Sequence, residues 1–236
     1  ERLFYLPGAV VPRVMEIEDI NRPGHVSLPA DLLGFKHTHG VLIWHAAIGL
    51  SVWLAQNAEL VRGKSVLELG SGVGLPGITA SLIGAEKVTL SDLGSSPFKK
   101  PGQMSPLENL ESNVLSNGVS EDTKTVALDW FECIPEEYQP EERYQLVIGA
   151  DLAHQEYMAP ACAAAVIKLT ASDGVAYIMS KKGRAGQEQF LAHLRQRGRL
   201  IVTEMQIASL DSKRRSATLK ETDLQLAIWS PSDAQP

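Results

Sequence analysis

The sequence predicts an α/β fold in which a mostly parallel sheet carries helices on both faces and ends in an antiparallel hairpin. Between residues 65 and 197, apolar stretches of five or six residues alternate with helical patterns, and strands that are joined by helices lie parallel. A glycine-rich turn at 70–77 separates the first of these stretches from its helix. Two further strand patterns, at 200–207 and 223–229, follow one another without a helical pattern between them, which indicates the hairpin.

Length and composition are typical of one globular domain, and they argue against broad electrostatic binding to nucleic acid or to an anionic membrane, while leaving a local basic patch open. The 236 residues suffice for one α/β domain with a substantial core. The formal net charge of −6 disfavours nucleic acid and anionic membranes as partners, and no apolar run reaches the roughly 18 residues of a transmembrane helix. Only two cysteines, Cys133 and Cys162, occur, as is typical of a reduced intracellular protein. We expect a monomer in the cytoplasm, with the nucleus as an alternative.

The first 40 residues lack a regular pattern of apolar positions. We predict that 1–40 form an arm or a small β-hairpin packed on the domain formed by 41–236. His37 and His39 lie close together in this region, but no third ligand follows at the spacing of a metal site. We therefore interpret the two histidines as a loop pair and expect no metal.

The first helix precedes the alternating region. Apolar residues recur at helical spacing between 41 and 57, which predicts a helix with a wide buried face. Trp44 begins this helix, either as a core residue or as a lid over a flat ligand. A capping box at 105–108, with proline at the first helical position, predicts another helix that Gly118 ends. The remaining predicted elements are strands at 65–69, 87–92, 123–128, 144–150 and 175–180 and helices at 75–83, 157–170 and 185–197.

Parallel strands of such a sheet end at one edge, where ligands bind. Four of the predicted strand ends carry carboxylates, namely Glu68, Asp92, Asp129 and Asp151. Residues 72–77 match the G-x-G-x-x-G pattern of dinucleotide sites, and Asp92 lies where such folds place a ribose-binding acid. Glu68, however, is predicted at the mouth of the turn, where a carboxylate repels pyrophosphate. S-adenosylmethionine carries a sulfonium and an ammonium group but no phosphate, so the charges favour it, with Asp92 on the ribose and Asp129-Trp130 beside the adenine.

These residues resemble a known family. The run 68–74 together with Asp92 is similar to the first two motifs of class I (seven-β-strand) methyltransferases. Further segments, over roughly 37–229, narrow the resemblance to the small protein-lysine methyltransferases of methyltransferase-like family 16, which modify chaperones, translation elongation factors and similar targets. These segments are 40–47, 107–113, Asn117, 128–130 and 149–151. The resemblance implies a seven-stranded, Rossmann-like sheet with an antiparallel last strand.

The resemblance also implies S-adenosylmethionine as the cofactor, and a protein substrate such as a chaperone or a translation factor as the partner. The positions that bind the cofactor in this family are occupied here by Trp44, Gly70, Ser71, Gly72, Asp92, Trp130 and Ala150. Asp92 is expected to hold the ribose, Trp130 to pack near the adenine and Trp44 to close over the methionine end. The charge argument adds Glu68 and Asp129 to the predicted cofactor-binding residues.

The sequence departs from the family where the acceptor is expected to bind. The family has Asp-x-x-Tyr or Asp-x-x-Phe after the fourth strand, whereas residues 151–154 read Asp-Leu-Ala-His. We predict that Asp151 orients the acceptor amine and that His154 and Trp44 line its channel. His154 either lines the channel and helps to deprotonate or orient the acceptor, or marks a changed specificity, or is a structural histidine that is hydrogen-bonded to a neighbouring loop.

Two basic segments have alternative interpretations. The loop at 93–104, with Lys99 and Lys100, is predicted on the ligand face, where it shapes substrate choice or is a plain surface loop. The run Lys213-Arg214-Arg215 is interpreted as a solvated hairpin loop rather than a docking patch. We assign neither segment to the site.

The predicted reaction is methyl transfer from a sulfonium, an in-line displacement for which a protein supplies alignment and a neutral nucleophile. Burial of a lysine beside the sulfonium cation lowers the pKa of its ammonium group. We therefore predict a protein-lysine N-methyltransferase. The alternatives are methylation of protein histidine or arginine or of a small molecule, a non-catalytic binding module with this fold, and an NAD-dependent oxidoreductase, which Glu68 disfavours.

Overall fold

A computed structural model describes most of the chain from residue 43 onward. The described residues are 2–5, 13–14, 43–94, 105–211 and 218–231, with side chains described for 43–94, 105–205 and 223–231. Three groups named above lie outside the described residues: the histidine pair His37 and His39, the lysine pair Lys99 and Lys100, and Lys213-Arg214-Arg215.

The strands of the described residues form one mixed sheet. They are β1 (Arg2–Tyr5), β2 (Arg13–Val14), β3 (Ser65–Leu69), β4 (Lys87–Asp92), β5 (Thr123–Ala127), β6 (Tyr144–Ala150), β7 (Thr170–Lys181), β8 (Gly198–Asp211) and β9 (Thr218–Pro231). Their order is β2-β1-β8-β9-β7-β6-β3-β4-β5. β3 to β7 run parallel, and β9 lies antiparallel between β7 and β8. The predicted α/β class, the mostly parallel sheet and the antiparallel C-terminal hairpin are confirmed.

Two short strands extend the predicted seven at the edge formed by β8. β1 pairs antiparallel with β2 on one side and with β8 on the other. The chain that connects β1 to β2 lies outside the described residues. The division into an arm at 1–40 and a domain at 41–236 therefore stays a prediction.

Helices cover both faces of the sheet. They are α1 (His45–Gln56), α2 (Leu75–Leu82), α3 (Pro106–Ser116), α4 (Ala159–Leu169) and α5 (Gln187–Arg195). α1, α2 and α3 share one core cluster with Val66 of β3, whereas α4 and α5 share a second cluster with Leu67 of the same strand. Successive side chains of a strand point to opposite faces, so the continuous apolar sequence of β3 supplies both clusters. Among the described residues, no helix is long and apolar enough to cross a membrane.

α1 is the helix that was predicted over 41–57, and it brings Trp44 to the ligand edge of the sheet. Most of its residues are buried, Leu50 and Leu54 completely, and burial of a leucine side chain contributes about 1.5–3 kcal/mol. Trp44 is the residue that precedes the helix, in an extended conformation. Because α1 is held by its buried face, the position of Trp44 is defined by the core.

α3 is held by a capping box at its amino end and by a side-chain hydrogen bond in its second half. The predicted capping box is present, since the Glu108 amide donates to Ser105 Oγ at 3.1 Å and the Glu108 carboxylate accepts from the Ser105 amide. Further along the helix, Asn113 Nδ2 donates to the Val73 carbonyl at 2.9 Å. The second bond ties α3 to the glycine turn.

Candidate active site

The carboxyl edge of the sheet brings the predicted site residues into two adjacent groups. The first group, which we call the cradle, consists of Gly70, Ser71 and Gly72 after β3, Asp92 at the end of β4, and Trp130 after β5. The second group, the acceptor end, consists of Trp44 before α1, Ala150 and Asp151 at the end of β6, and His154. Glu68 and Asp129 lie next to the cradle, but their carboxylates have other partners.

The glycine turn of the cradle exposes main chain rather than side chains. Gly70 and Gly72 have φ values of +59° and +54°, in the left-handed region that favours glycine. A Cβ atom at residue 70 would lie 2.8 Å from the ring of Trp130, so no larger residue fits there without displacing the indole. Ser71 is buried, and its amide donates to the Ser91 carbonyl at 2.9 Å. The turn is therefore fixed to β4 through Ser71, while Gly70 and Gly72 stay partly exposed and can contact a ligand.

Asp92 is fixed beside this turn by two backbone amides. Its Oδ2 accepts from the Gly72 amide at 2.7 Å, and its Oδ1 accepts from the Leu93 amide at 2.7 Å. Burial raises the pKa of Asp92, and the two amide hydrogen bonds act in the opposite direction. Each carboxylate oxygen accepts more than one hydrogen bond, so Asp92 keeps acceptor capacity for a pair of hydroxyl groups. Its role at the ribose stays a prediction, and the geometry is compatible with it.

Glu68 lies behind the turn, which corrects the prediction that its carboxylate faces the ligand. The residue is 1% exposed, and its Oε2 accepts from the Gly77 amide in the first turn of α2 at 3.0 Å. Burial raises the pKa of Glu68 to about 8, so its side chain is mostly neutral at pH 7. Glu68 therefore braces the turn against α2, and the charge argument that excluded a dinucleotide does not apply to it.

The buried Glu68 makes the stability of the fold depend on pH. Between its ordinary pKa of 4.5 and the raised value of about 8, the folded chain holds a proton that the unfolded chain has released. The free energy of unfolding should therefore fall as the pH rises through this window, by up to about 1.4 kcal/mol per pH unit from this group. In Glu68→Gln, whose amide oxygen still accepts from the Gly77 amide, we expect this contribution to vanish.

Urea unfolding of the parent and of Glu68→Gln between pH 5 and 8 (about three units) measures how steeply the free energy of unfolding changes with pH. The difference between the two slopes is the contribution of Glu68. Glu86→Gln, a change of an exposed residue at the start of β4, is the matched control and should keep the slope of the parent. Equal slopes in the parent and Glu68→Gln would show that the buried side chain does not titrate in this range.

Trp130 covers the cradle from the side of β5. Its six-membered ring lies against Gly70, and its indole Nε1 is buried without a hydrogen-bond partner among the described residues. An unpaired buried donor costs about 1–3 kcal/mol, so an acceptor atom of a bound ligand would stabilise this position. Asp129 is exposed, and its Oδ1 accepts from the Phe131 amide at 3.0 Å. This bond caps the amino end of the short 3-10 helix Trp130–Cys133.

Asp151 has a different partner from the predicted acceptor amine. The residue is 4% exposed, and its carboxylate accepts from the Lys181 amide at 2.8 Å and from Arg184 Nε at 3.2 Å and Nη2 at 2.6 Å. Its backbone has a φ of +52°, the one non-glycine residue with positive φ among those described. The prediction that Asp151 orients the acceptor amine stays a prediction, and the structure adds Arg184 as the ionic partner of its carboxylate. Its carboxylate is committed to Arg184, next to half-buried Ala150 at the end of β6.

Arg184 connects Asp151 to the aromatic residues of the acceptor end. Its guanidinium carbon lies 4.9 Å from the centre of the Trp44 ring, a cation–π arrangement. The centre of the His154 ring lies 5.5 Å from that of Trp44, at an interplanar angle of 49°. Trp44 thus contacts both a cation and an imidazole. The contact of Trp44 with His154 is compatible with the predicted channel walls.

The surroundings of His154 favour the uncharged form of its imidazole. Burial lowers its pKa, and the charge of Arg184 adds to this effect, while hydrogen bonds with the backbone of Asp151 and Leu152 and the charge of Asp151 oppose it. The imidazole is therefore neutral over a wider pH range than a free histidine. Its backbone hydrogen bonds are compatible with a structural histidine, and its contact with Trp44 is compatible with a channel wall, so both interpretations stay predictions.

Arg184 was not among the predicted site residues, although the sequence contains a signal for it. Asp151 follows an apolar strand, and a buried carboxylate at such a position requires a cation. β7 lies beside β6 in the sheet, Lys181 is its last residue, and Lys182 and Arg184 follow it. The side chain that provides the pair depends on the turn after β7, which the sequence pattern does not define.

Known proteins resemble this chain in sequence and in fold. Over 159 residues the chain is 33% identical to "Protein N-lysine methyltransferase METTL21A" of Danio rerio, which covers 66% of this chain and 67% of that protein. Over 155 residues it is 33% identical to "EEF1A lysine methyltransferase 3" of Mus musculus, which covers 64% and 60%. A crystal structure of a putative RNA methyltransferase from Pyrococcus horikoshii has the same fold, with a TM-score of 0.51 at 19% identity over 79% of this chain and 82% of that one.

The glycine turn after β3, the acid at the end of β4 and the antiparallel last strand define the class I methyltransferase fold. Residues 34–197 match the sequence model of the lysine methyltransferase family. The chain belongs to this family, as its resemblance to the small protein-lysine methyltransferases predicted. It spans about half to two thirds of the length of the curated relatives that it matches.

Proposed function

We propose that this protein transfers the methyl group of S-adenosylmethionine to a lysine side chain of a protein substrate. The match to the lysine methyltransferase family over residues 34–197 carries the proposal, because this range includes both the cradle and the acceptor end. The name of the mouse relative, an EEF1A lysine methyltransferase, supports a translation factor as the substrate. A monomeric state and a cytoplasmic location stay predictions from the composition.

The cradle fits S-adenosylmethionine in three respects. The turn at Gly70 and Gly72 leaves main chain open to a ligand, Asp92 has acceptor capacity for two ribose hydroxyls, and the buried indole Nε1 of Trp130 has no partner among the described residues. When bound, the cofactor supplies an electrophilic methyl group on a sulfonium. Asp92 would hold its ribose, Trp130 would border its adenine, and Trp44 and Ala150 would border its methionine end.

The acceptor end favours an uncharged amine. A lysine attacks only after its ammonium group has lost a proton, and an apolar aromatic channel raises the cost of the charged form. Trp44 and His154 provide aromatic surface, and burial lowers the pKa of His154, which favours its neutral form. Arg184 neutralises Asp151, so the channel does not present an open carboxylate that would hold the ammonium form. In this proposal Asp151 and Arg184 are positioning residues, and their shared contacts hold Trp44 in place.

Transfer to protein is tested by incubating the purified chain with methyl-labelled S-adenosylmethionine and a cell lysate. Protein, RNA and small molecules are then separated, and label is counted in each fraction. We expect label in the protein fraction for the parent chain and background label for Asp92→Ala. Label in RNA or in small molecules, or the absence of transfer from a chain that binds the cofactor, would contradict the proposal.

A further inference from the structure

Two aromatic side chains are stacked on the surface of the protein rather than in its core. Phe131 is 47% exposed and Tyr157 is 69% exposed, and their ring centres lie 6.4 Å apart with an interplanar angle of 11°. Ile134, which is 46% exposed, lies in the same short segment as Phe131. Clustered exposed apolar side chains are typical of surfaces that become buried in a complex. Folding of this chain alone leaves nearly half of Phe131 and Ile134, and more than half of Tyr157, in contact with water.

This pair borders both groups of the candidate active site. Phe131 follows Trp130, whose ring lies against Gly70 of the cradle. Tyr157 lies three positions after His154, whose ring contacts Trp44 at the acceptor end. A partner that covers the two rings would therefore lie next to the place where the acceptor enters.

The surface around the aromatic pair is acidic. Three exposed glutamates, Glu132, Glu136 and Glu137, and no lysine or arginine occur between residues 131 and 140. None of the three forms an ion pair with another described residue, whereas Glu142, further along the chain, pairs with Lys124 near the amino end of β5. Glu156, which precedes Tyr157, is also exposed. We call Phe131, Tyr157, Glu132, Glu136, Glu137 and Glu156 the acidic ridge.

The acidic ridge is held in place from below. Lys168 of α4 donates to the carbonyl groups of Pro135, Glu136 and Tyr138, and its ammonium group lies 5.8 Å from the centre of the Tyr138 ring. Lys168 thus binds the backbone carbonyls of the loop, while the glutamate side chains are exposed to solvent. A surface whose backbone is fixed in advance loses less conformational entropy when a partner binds.

We propose that the acidic ridge is the docking surface for a basic segment of the substrate protein, with an apolar side chain of that segment on Phe131 and Tyr157. The inference rests on the proposed function, since it places the segment that carries the acceptor lysine beside the acceptor end. The glutamates of the acidic ridge complement lysine and arginine residues around the acceptor, and they steer such a partner toward the site. The stacked rings supply the apolar contact that charge alone does not provide.

Fluorescence anisotropy with three peptides tests the proposal without requiring turnover. The probe is a fluorescein-labelled peptide that alternates lysine with leucine; one comparison peptide has serine in place of leucine, and the other has glutamate in place of lysine. We expect the lysine–leucine peptide to bind most tightly and to weaken as salt increases. Phe131→Ala with Tyr157→Ala, and separately Glu132→Lys with Glu137→Lys, should each raise its Kd about tenfold.

Matched controls alter exposed residues away from the ridge. Leu115→Ala on α3 removes an exposed apolar side chain, and Glu86→Lys with Glu121→Lys reverses two exposed charges at the amino ends of β4 and β5. Both should leave the Kd unchanged, and all variants should keep the thermal unfolding midpoint of the parent. Equal binding by the ridge variants and the controls, or equal binding of the acidic peptide, would overturn the proposal. If the lysine–leucine peptide binds at the ridge but the same chain transfers no label to the proteins of a lysate, the proposed function is refuted and the docking surface stands.

Discussion

Replacement of Asp92 with alanine should abolish measurable binding of S-adenosylmethionine. The Asp92 carboxylate is fixed by the Gly72 and Leu93 amides and in our account accepts both ribose hydroxyls. Hydrogen bonds to a charged group contribute about 1.5–3 kcal/mol each, so the loss of two predicts an increase in Kd of at least about 100-fold. The alanine variant also releases the Gly72 amide, which loosens the turn. Titration calorimetry measures the affinity.

Two further variants separate ribose binding from a general loss of structure. Asp173→Ala changes an exposed aspartate at the opposite end of β7 and should bind the cofactor as the parent does. Asp92→Asn keeps one acceptor oxygen and should retain part of the affinity. If Asp92→Ala is folded by circular dichroism and binds the cofactor with unchanged Kd, the assignment of Asp92 to the ribose is wrong.

Replacement of Arg184 with alanine should affect both folding and the pH dependence of methyl transfer. The side chain of Asp151 is 2% exposed, and removal of its cation leaves a buried carboxylate unpaired, which costs about 3 kcal/mol. The same carboxylate then faces the acceptor end and stabilises an ammonium group. The rising limb of the rate against pH should therefore move to higher pH, by on the order of one unit.

The double variant Asp151→Asn/Arg184→Ala tests whether charge is the cause. It removes both charges, so the pH profile should return toward that of the parent even where stability does not recover. Arg195→Ala, a change of an exposed arginine on α5, should alter neither profile nor stability. If Arg184 had a purely structural role, Arg184→Ala would lose the same fraction of the methyl-transfer rate at every pH, and its pH profile would keep the shape of the parent's.

The fold could be predicted because its strongest signals are local. The alternation of apolar strands and helices, the capping box at Ser105 and the helix that begins after Trp44 each depend on neighbouring residues, and the structure contains all three. Asp92 could also be placed, because the end of a parallel strand beside the glycine turn is defined by the order of the strands. The hydrogen bond between Asp92 and the Gly72 amide agrees with that reasoning.

The failures of prediction concern the directions of side chains. The position of Glu68 before the turn is the same whether its carboxylate faces the ligand or the core, and the pattern of residues does not distinguish the two. The structure turns it toward the Gly77 amide, where burial keeps it neutral. The pairing of Asp151 with Arg184 likewise depends on the path of the chain after β7, across 33 positions of sequence.

The most direct test of the central claim identifies the amino acid that receives the methyl group. Substrate protein that has been labelled by the purified chain is hydrolysed in acid, and the labelled residues are separated by chromatography and mass spectrometry. Our account predicts that the label is recovered as Nε-methyllysine and disappears when Asp92 is replaced with alanine. Recovery of the label as methylhistidine or methylarginine would contradict the claim that this protein is a lysine methyltransferase.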